Sequence, residues 1–245
     1  MSWLKRLSLG AVFALALAAC SGRTELDGEG GTPPALIVRQ VLALEPGVCL
    51  AKPNPSSTSM LTGALDLDLR SRYDAAILVA NTLPAEFDAI TLDRASVVIR
   101  FPDGKVGATK QVLTGGFVEP RTAESYGWGV ASVQLLDAAD IATLVPQSAI
   151  QDGGTFTLSA EVRVEGAALN GNRYVSAPFQ YPIEVCSGCL ISYPTEADEP
   201  SEPGYQCAAW LSSELDEPPP CQLGQDYWVD CRFCVATVPT CAAPQ

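Results

Sequence analysis

Residues 156–165 read FTLSAEVRVE, and residues 175–185 read VSAPFQYPIEV. In the first segment every second residue, beginning with Phe156, is apolar, and the residues between are polar or charged. Side chains of a β-strand alternate between the two faces of a sheet, so this period of two predicts a strand with one buried face. The second segment repeats the pattern, and Asn170-Gly171 in the connection favours a turn. The sequence therefore predicts a β-hairpin.

Two prolines refine the second strand. Pro178 and Pro182 lie an even number of residues apart, so their backbone nitrogens face the same side of the strand, and neither nitrogen carries a hydrogen. That side lacks donors for a neighbouring strand. We therefore expect this strand to lie at a sheet edge or to leave its sheet there.

Earlier segments also predict strands. Leu65, Leu67 and Leu69 alternate with Asp66 and Asp68, which predicts a buried leucine face and a wet carboxylate face. Residues 75–80 are continuously apolar, as in a strand covered on both faces. The apolar phase reverses between residues 90–92 and 97–101, which indicates a bulge near Asp93-Arg94. Pro102-Asp103-Gly104 favours a turn, and two more strands are expected at residues 111–118 and 130–136.

One short helix interrupts the strands. Asp137 can cap it, Ala138, Ile141 and Leu144 or Val145 supply an apolar face, and Pro146 ends it. About eight short strands with little helix predict a mainly β fold, an antiparallel β-sandwich over residues 35–186. The hairpin and the strand spacing resemble an immunoglobulin or fibronectin type III arrangement. Other sandwiches or a barrel fit the same pattern.

The first twenty residues have the layout of a secretory signal. Lys5 and Arg6 precede an apolar run, residues 7–19, that is too short to span a bilayer. The run ends in Leu17-Ala18-Ala19-Cys20, which resembles the lipobox of bacterial lipoproteins. The resemblance implies that residues 1–19 are removed as a signal peptide and that Cys20 is acylated and anchors the chain in the envelope membrane. The alternative is an ordinary signal peptide with an incidental cysteine.

Residues 20–34 are rich in glycine and polar residues and end in Pro33-Pro34, which predicts a flexible tether with a random-coil reach of about 20 Å. Ser21, rather than Asp, follows the lipobox cysteine. In the lipoprotein sorting rule of enteric bacteria this residue is similar to an outer-membrane signal, so we expect an outer-membrane location with the protein on the periplasmic or surface face.

Charge limits the partners. The chain has 15 basic and 28 acidic residues, a formal net charge of −13, and removal of Lys5 and Arg6 with the signal brings it to −15. Phosphate-rich partners attract basic surfaces. This balance argues against nucleic acid and anionic headgroups, so the expected partners are the bilayer, through the acylated cysteine, and an envelope protein or glycan.

Cysteines dominate the C-terminal part. If Cys20 carries lipid, eight remain, and an even number in an exported chain predicts up to four disulfides; they are Cys49, Cys186, Cys189, Cys207, Cys221, Cys231, Cys234 and Cys241. Residues 187–245 form an acidic, Pro/Cys-rich extension in which Trp210, Tyr227, Trp228 and Phe233 could form only a small core. Seven of the eight lie in or beside this extension. Seven cysteines cannot all pair with one another, so if every cysteine is oxidised within the molecule, at least one must pair with Cys49. Cys186 is the preferred partner and Cys189 the next.

Catalytic motifs are scarce. The chain has no histidine, which removes Ser-His and Cys-His nucleophile pairs, and it contains no phosphate-binding Gly-x-x-x-x-Gly-Lys loop and no Gly-x-Ser-x-Gly elbow. Cys186-x-x-Cys189 and Cys231-x-x-Cys234 have a spacing shared by redox sites, zinc sites and structural disulfides, and export favours disulfides. We expect a non-catalytic binding or structural module. The alternatives are a carboxylate-dependent carbohydrate-active enzyme and a thiol redox or metal-binding protein.

Three further features have two interpretations each. The acidic run could be a solvated surface or weak calcium ligands; its members are Glu196, Asp198, Glu199, Glu202, Glu214, Asp216 and Glu217. Asp66 and Asp68 could likewise bind calcium or form a wet strand face. Trp128, between Gly127 and Gly129, is expected in a loop, where it stacks on a sugar or a partner or folds back on the sandwich. No other cofactor is expected.

Overall fold

The computed structural model describes residues 34–84, 89–193, 207 and 218–242. The expectation of a mainly β fold is confirmed. The elements are β1 Leu36–Leu42, β2 Ser59–Met60, β3 Gly63–Asp66, β4 Tyr73–Asn81, β5 Ile90–Arg100, β6 Val106–Val118, β7 Gly127–Leu136, α1 Ala138–Leu144, α2 Gln147–Ile150, β8 Thr155–Ala168, β9 Arg173–Val175, β10 Phe179–Cys186, β11 Ile191–Ser192 and β12 Val229–Asp230. Three 3₁₀ turns lie at Gln151–Gly153, Cys231–Phe233 and Pro239–Cys241.

Ten strands form one mixed sheet in the order β2-β1-β4-β7-β6-β5-β8-β10-β3, with β9 paired to β8. The pairs are antiparallel except β10 with β3. The sheet is nearly closed as a barrel. A parallel bridge between Leu36 and Ser176 joins β1 to the segment between β9 and β10, and an antiparallel bridge joins Leu65 of β3 to Gln225.

The predicted immunoglobulin-like sandwich is not confirmed, because the ten strands belong to one continuous sheet that includes a parallel pair. Alternation of apolar and polar residues along a strand indicates only that one face of the strand is buried. Strands of a sandwich and strands of a barrel both have one buried face, so the pattern does not distinguish the two folds. The buried faces form one core, in which Tyr73, Tyr181, Ile77, Ile99 and Leu158 are fully enclosed.

Local patterns explain most of the strands and the helix. In β8 the apolar residues from Leu158 to Val164 are buried on alternate positions. The register of β5 with both neighbours shifts between Leu92 and Arg94, which is the predicted bulge. Asp137 caps α1 through the N–H groups of Ala139 and Asp140, as predicted, and Lys110 of β6 bonds the carboxylates of Asp137 and Asp140.

The proline-containing strand, β10, has a neighbour on both sides over only part of its length. It pairs with β8 from Phe179 to Cys186, whereas β3 joins its other side from Ile183, one residue after Pro182. The expected shortage of donors fits the single neighbour before Ile183. The strand is not at the edge beyond that point, because β3 continues the sheet there.

The C-terminal part has a separate small core. β11 and β12 form a parallel pair, and the enclosed residues are Ile191, Cys207, Val229, Cys231, Cys234 and Cys241. The aromatic core expected there is different: the Trp228 side chain is 68% exposed, Phe233 is only partly buried, and Trp210 lies outside the described residues. Nothing among the helices described has both the length and the apolar character to cross a membrane.

Candidate functional site

Four disulfides lie at the end of the fold where β1 ends, at Leu42. We call this end the far end, because it is opposite the start of β1. The disulfides join Cys49 to Cys221, Cys186 to Cys189, Cys207 to Cys231 and Cys234 to Cys241. The bond expected between Cys49 and the segment after Val185 is present. Its partner is Cys221 and not Cys186 or Cys189, because those two cysteines bond each other across a tight turn. Cys20 lies outside the described residues.

The two Cys-x-x-Cys pairs do not form a common site, since Cys231 and Cys234 bond different partners. Asp66 lies near Cys186 and Cys189, with its carboxylate oxygen and both sulfurs within 4.8 Å of one another. Metal coordination by cysteine requires thiolates. The oxidised sulfurs have no thiolate to offer.

Asp66 is buried, and the prediction that it lies on a wet strand face is wrong. β3 ends at Asp66, and the turn at Gly188 and the segment at Gly224 cover this position. Its Oδ1 accepts N–H bonds from Gly188 (2.8 Å) and Asp68 (3.1 Å), and its Oδ2 accepts one from Leu190 (2.9 Å). Burial raises the pKa of the Asp66 carboxyl, and these N–H bonds oppose the rise. Asp66 therefore holds the cystine turn against β3.

Asp68 shares this turn with Asp66. The hydroxyl of Ser187 donates to Asp68 Oδ1 (3.0 Å), while Asp68 Oδ2 is buried and finds no donor among the described residues. Calcium takes six to eight oxygen ligands. Because both Asp66 oxygens accept N–H bonds, the pair offers one uncommitted carboxylate oxygen. The acidic run from Glu196 to Glu217 lies outside the described residues.

A second carboxylate, Asp226, is partly buried and bonds Tyr73, whose hydroxyl in turn contacts that of Tyr181. The Tyr73 hydroxyl lies 2.8 and 2.9 Å from the two Asp226 oxygens and 3.1 Å from the Tyr181 hydroxyl. Asp226 Oδ1 also accepts the N–H of Ala64 at 2.9 Å. Burial raises the pKa of Asp226 and of both tyrosines, and the Asp226 charge adds to the rise for each tyrosine. This hydrogen-bonded cluster ties the C-terminal segment to β3 and β4.

Gln225 completes the contact. Its side-chain oxygen accepts the N–H of Asp74 at 3.0 Å, and its side-chain nitrogen donates to the Asp74 carbonyl at 2.8 Å. Along β3, the N–H of Asp66 donates to the Gly224 carbonyl and the N–H of Asp226 to the Ala64 carbonyl. Residues 224–226 thus extend the sheet beyond β3. A small pocket beside them, with only about 10 Å³ of space for water, is lined by Leu44, Asp74, Cys221, Gln222, Asp226 and Tyr227, among others.

Sequence reasoning missed Tyr73, Tyr181, Gln225 and Asp226. Tyr73 and Asp226 are 153 positions apart, and neither residue type nor spacing singles them out. One local signal exists in the segment Gly224-Gln225-Asp226: Gly224 and Asp226 both have positive φ, 77° and 66°, and glycine and aspartate tolerate that region better than most residues.

Trp128 lies in β7 and not in a loop. A Cβ at Gly127 would collide with the Glu119 carbonyl, and one at Gly129 with the Phe117 carbonyl, so these glycines allow β7 to approach β6. Trp128 contacts Tyr126 edge-on with ring centroids 6.1 Å apart. The guanidinium of Arg121 lies 5.3 Å from the centroid of the Tyr126 ring. Trp128 therefore belongs to an aromatic surface at the opposite end from the disulfides.

No protein-family model matches this chain, and no curated protein matches it. Among solved structures, one match is the solution structure of a protein described as a late embryogenesis abundant (LEA) protein. It is 14% identical in sequence, covers 67% of this chain and 76% of its own length, and has a TM-score of 0.35. A likeness at that score carries no argument about fold or function.

Proposed function

We propose that this protein is a lipid-anchored protein of the bacterial envelope, held through acylated Cys20, and that it acts as a non-catalytic binding or structural module. The observation that carries the proposal is the pairing of cysteines. All eight cysteines after Cys20 are joined to one another in four disulfides, as suits an oxidising compartment, and none of them requires Cys20 as a partner.

The resemblance of Leu17-Ala18-Ala19-Cys20 to a lipobox supports the anchor, and Ser21 supports an outer-membrane location. Mass spectrometry of protein purified from its native envelope tests this part. We expect the mature N-terminal peptide to begin at acylated Cys20, and Cys20→Ala to lose that species. An unmodified N-terminus elsewhere overturns the anchor.

For the binding role we propose the apolar surface around the Cys49–Cys221 bond. Val48 and Leu50 flank Cys49 and are 58% and 64% exposed, and Leu223 follows Cys221 and is 37% exposed. Aliphatic side chains beside a cystine suit an apolar surface of another protein better than a glycan, which is recognised through aromatic faces and polar groups. The proposed partner is therefore an envelope protein.

Site-specific photo-crosslinking in native envelopes tests this surface. A photoreactive amino acid at Leu50 is expected to give a discrete crosslinked protein band. The matched control is Leu113, which is 89% exposed on the wall of the sheet in β6. Equal crosslinking from both positions, or glycan adducts at Leu50, contradicts the proposed protein-binding surface.

The contacts of Asp66, which is buried, and of Asp226, which is partly buried, favour the non-catalytic role over the enzymatic alternative. A glycosidase needs two carboxyl groups facing each other across a cleft that admits substrate. Asp66 and Asp226 instead accept hydrogen bonds from the segments that they hold together. Turnover of a glycan that is lost in Asp226→Asn would overturn this assignment.

A further inference from the structure

Several connections meet beside Pro34, the first residue that the structure describes. The hydroxyl of Thr82 donates to the Pro34 carbonyl (2.7 Å), and its N–H donates to the Ala35 carbonyl (3.0 Å). The side chain of Asn81 donates to the Glu119 carbonyl at 3.2 Å, which brings the β6–β7 connection beside the β4 end. We call this the tether end, and it comprises residues 34–36, 81–83, 117–128 and 168–173.

The strand registers place the turn after β8 at the same end. Ile90 pairs with Val118 on one side and with Ala168 on the other, and the N–H of Ala168 donates to the Asn172 carbonyl to close the turn. β1 starts at this end and runs for seven residues to the far end, about 23 Å away at the rise of a strand. The C-terminal segment lies at the far end, where the Tyr227 hydroxyl donates to the Leu44 carbonyl (3.5 Å).

The tether end exposes apolar and aromatic side chains. Leu169 is 83% exposed at the tip of its turn, Phe117 is 57% exposed and Tyr126 is 46% exposed. Trp128 packs edge-on against the Tyr126 ring, and the Arg121 guanidinium lies over that same Tyr126 ring. Transfer of an exposed leucine side chain from water to an apolar phase lowers its free energy. Aromatic rings that carry a polar group favour the headgroup region of a bilayer.

We propose that the tether end lies against the bilayer in the anchored protein, with Tyr126, Trp128 and Leu169 at the level of the lipid headgroups. This inference rests on the proposed function, since it requires the anchor at Cys20. Thirteen residues separate Cys20 from Pro34, and the flexible tether that their composition predicts would reach about 20 Å. The anchor thus keeps this end near the membrane at a high effective concentration, so a weak contact suffices.

The charges at the tether end indicate which lipid headgroups it would contact. Arg173 pairs with Asp93 through two bonds of 2.9 and 2.8 Å, while Glu119 and Glu124 are exposed beside Arg121. Among its described residues the tether end therefore has no basic excess to attract anionic lipid, and the whole chain carries a net charge of −13. The surface suits zwitterionic headgroups, which neither attract nor repel it strongly.

Tryptophan fluorescence in vesicles of brominated phosphatidylcholine tests the inference, because bromine quenches tryptophan only at short range. The acylated full-length mature protein is used in two forms. One carries Trp210→Phe and Trp228→Phe and keeps Trp128; the other carries Trp128→Phe and Trp210→Phe and keeps Trp228, which is 68% exposed at the far end. We expect quenching of Trp128 to exceed that of Trp228 severalfold. Equal quenching, or stronger quenching of Trp228, overturns the proposal.

Flotation of the same samples separates this failure from failure of the anchor. Protein that does not float with the vesicles contradicts the lipid anchor, and the orientation falls with it. Protein that floats without preferential quenching of Trp128 contradicts the orientation alone. A further variant, Leu169→Asn in the exposed turn, is expected to reduce Trp128 quenching at least twofold, whereas Leu113→Asn on the wall of the sheet leaves it unchanged.

Discussion

The side-chain amide of Gln225 pairs with the backbone of Asp74 through one accepted and one donated hydrogen bond, of 3.0 and 2.8 Å. A neighbouring strand would offer β4 the same pair of groups. The register of β1 with β4 ends at Leu42 opposite Ala76, so the strand itself does not reach Asp74. Gln225 therefore continues the sheet with a side chain, and it joins the C-terminal segment to β4 as well as to β3.

Replacing Gln225 by methionine tests this role at nearly constant volume. The change leaves the N–H and C=O of Asp74 without their partners beside the buried Gln225 side chain, and each group left unpaired away from water costs about 1 to 3 kcal/mol. We expect the free energy of unfolding to fall by about 2 to 4 kcal/mol, measured by urea denaturation with the disulfides intact. Gln222→Met is the matched control, because the buried Gln222 Oε1 has no donor among the residues described, and it should cost less than 1 kcal/mol. Equal losses would contradict the assigned role.

The pH dependence of stability should reveal the burial of Asp226. Because burial raises the folded-state pKa, this group stabilises the fold most below the unfolded pKa of about 4, and that contribution is lost as the pH rises through the folded pKa. Asp226→Asn does not titrate, and asparagine tolerates the φ of 66°. We therefore expect the free energy of unfolding of the variant, minus that of the wild type, to increase between pH 4 and pH 7.

Asp93→Asn supplies a control of opposite sign. Hydrogen bonds from Arg173 lower the pKa of Asp93, so the wild type gains stability from this group as the pH rises through the folded pKa, and the gain is complete above the unfolded pKa of about 4. The same difference should then decrease as the pH rises toward about 4 and stay flat between about pH 4 and pH 7, where the difference for Asp226→Asn increases. A flat difference for Asp226→Asn would mean that its carboxyl is not desolvated in the folded protein.

The Cys49–Cys221 bond should stabilise the fold more than the other disulfide that contacts the sheet. Its cysteines are 172 positions apart, and in the chain-entropy model closing such a loop contributes about 5 kcal/mol. Cys186 and Cys189 are only 3 positions apart, which gives about 2 kcal/mol or less in the same model. Unfolding of the Cys49→Ala/Cys221→Ala and Cys186→Ala/Cys189→Ala proteins compares the two. A larger loss in the second protein would contradict the entropic ranking.

The features predicted from the sequence are those that depend on neighbours along the chain. The alternation in β8, the shift near Arg94 and the Asp137 cap each follow from the identity of residues within one turn or one strand. The burial of Asp66 could not be predicted in that way, because its cover comes from Gly188 and Gly224, more than a hundred positions downstream. The same separation hides the contacts of Gln225 and Asp226.

The number of cysteines predicted a long-range contact that periodicity could not, because a count does not depend on distance along the chain. An odd number of cysteines in the C-terminal part implied that one of them bonds Cys49, but it did not indicate which of the seven. The partner is Cys221 because residues 221–226 pack along the far end of β1 and β3. Trp128 shows the opposite failure. Its flanking glycines predicted a loop, whereas they serve the close approach of two strands.

Adjacent glycines of β6 provide a direct test of that approach. A Cβ at Gly116 would collide with the carbonyl oxygen of Val130 in β7, whereas a Cβ at Gly115 would meet no atom within 4 Å. Neither glycine has a positive φ, so backbone conformation does not separate them. Gly116→Ala should lower the free energy of unfolding by about 1 to 3 kcal/mol, as overpacking does, because the obstructing atom belongs to the backbone and cannot rotate away. Gly115→Ala should be neutral or stabilising by up to about 1 kcal/mol, since alanine restricts the unfolded chain. Urea denaturation of both proteins measures the difference, and a Gly116→Ala protein as stable as Gly115→Ala would show that β6 and β7 do not pack this closely.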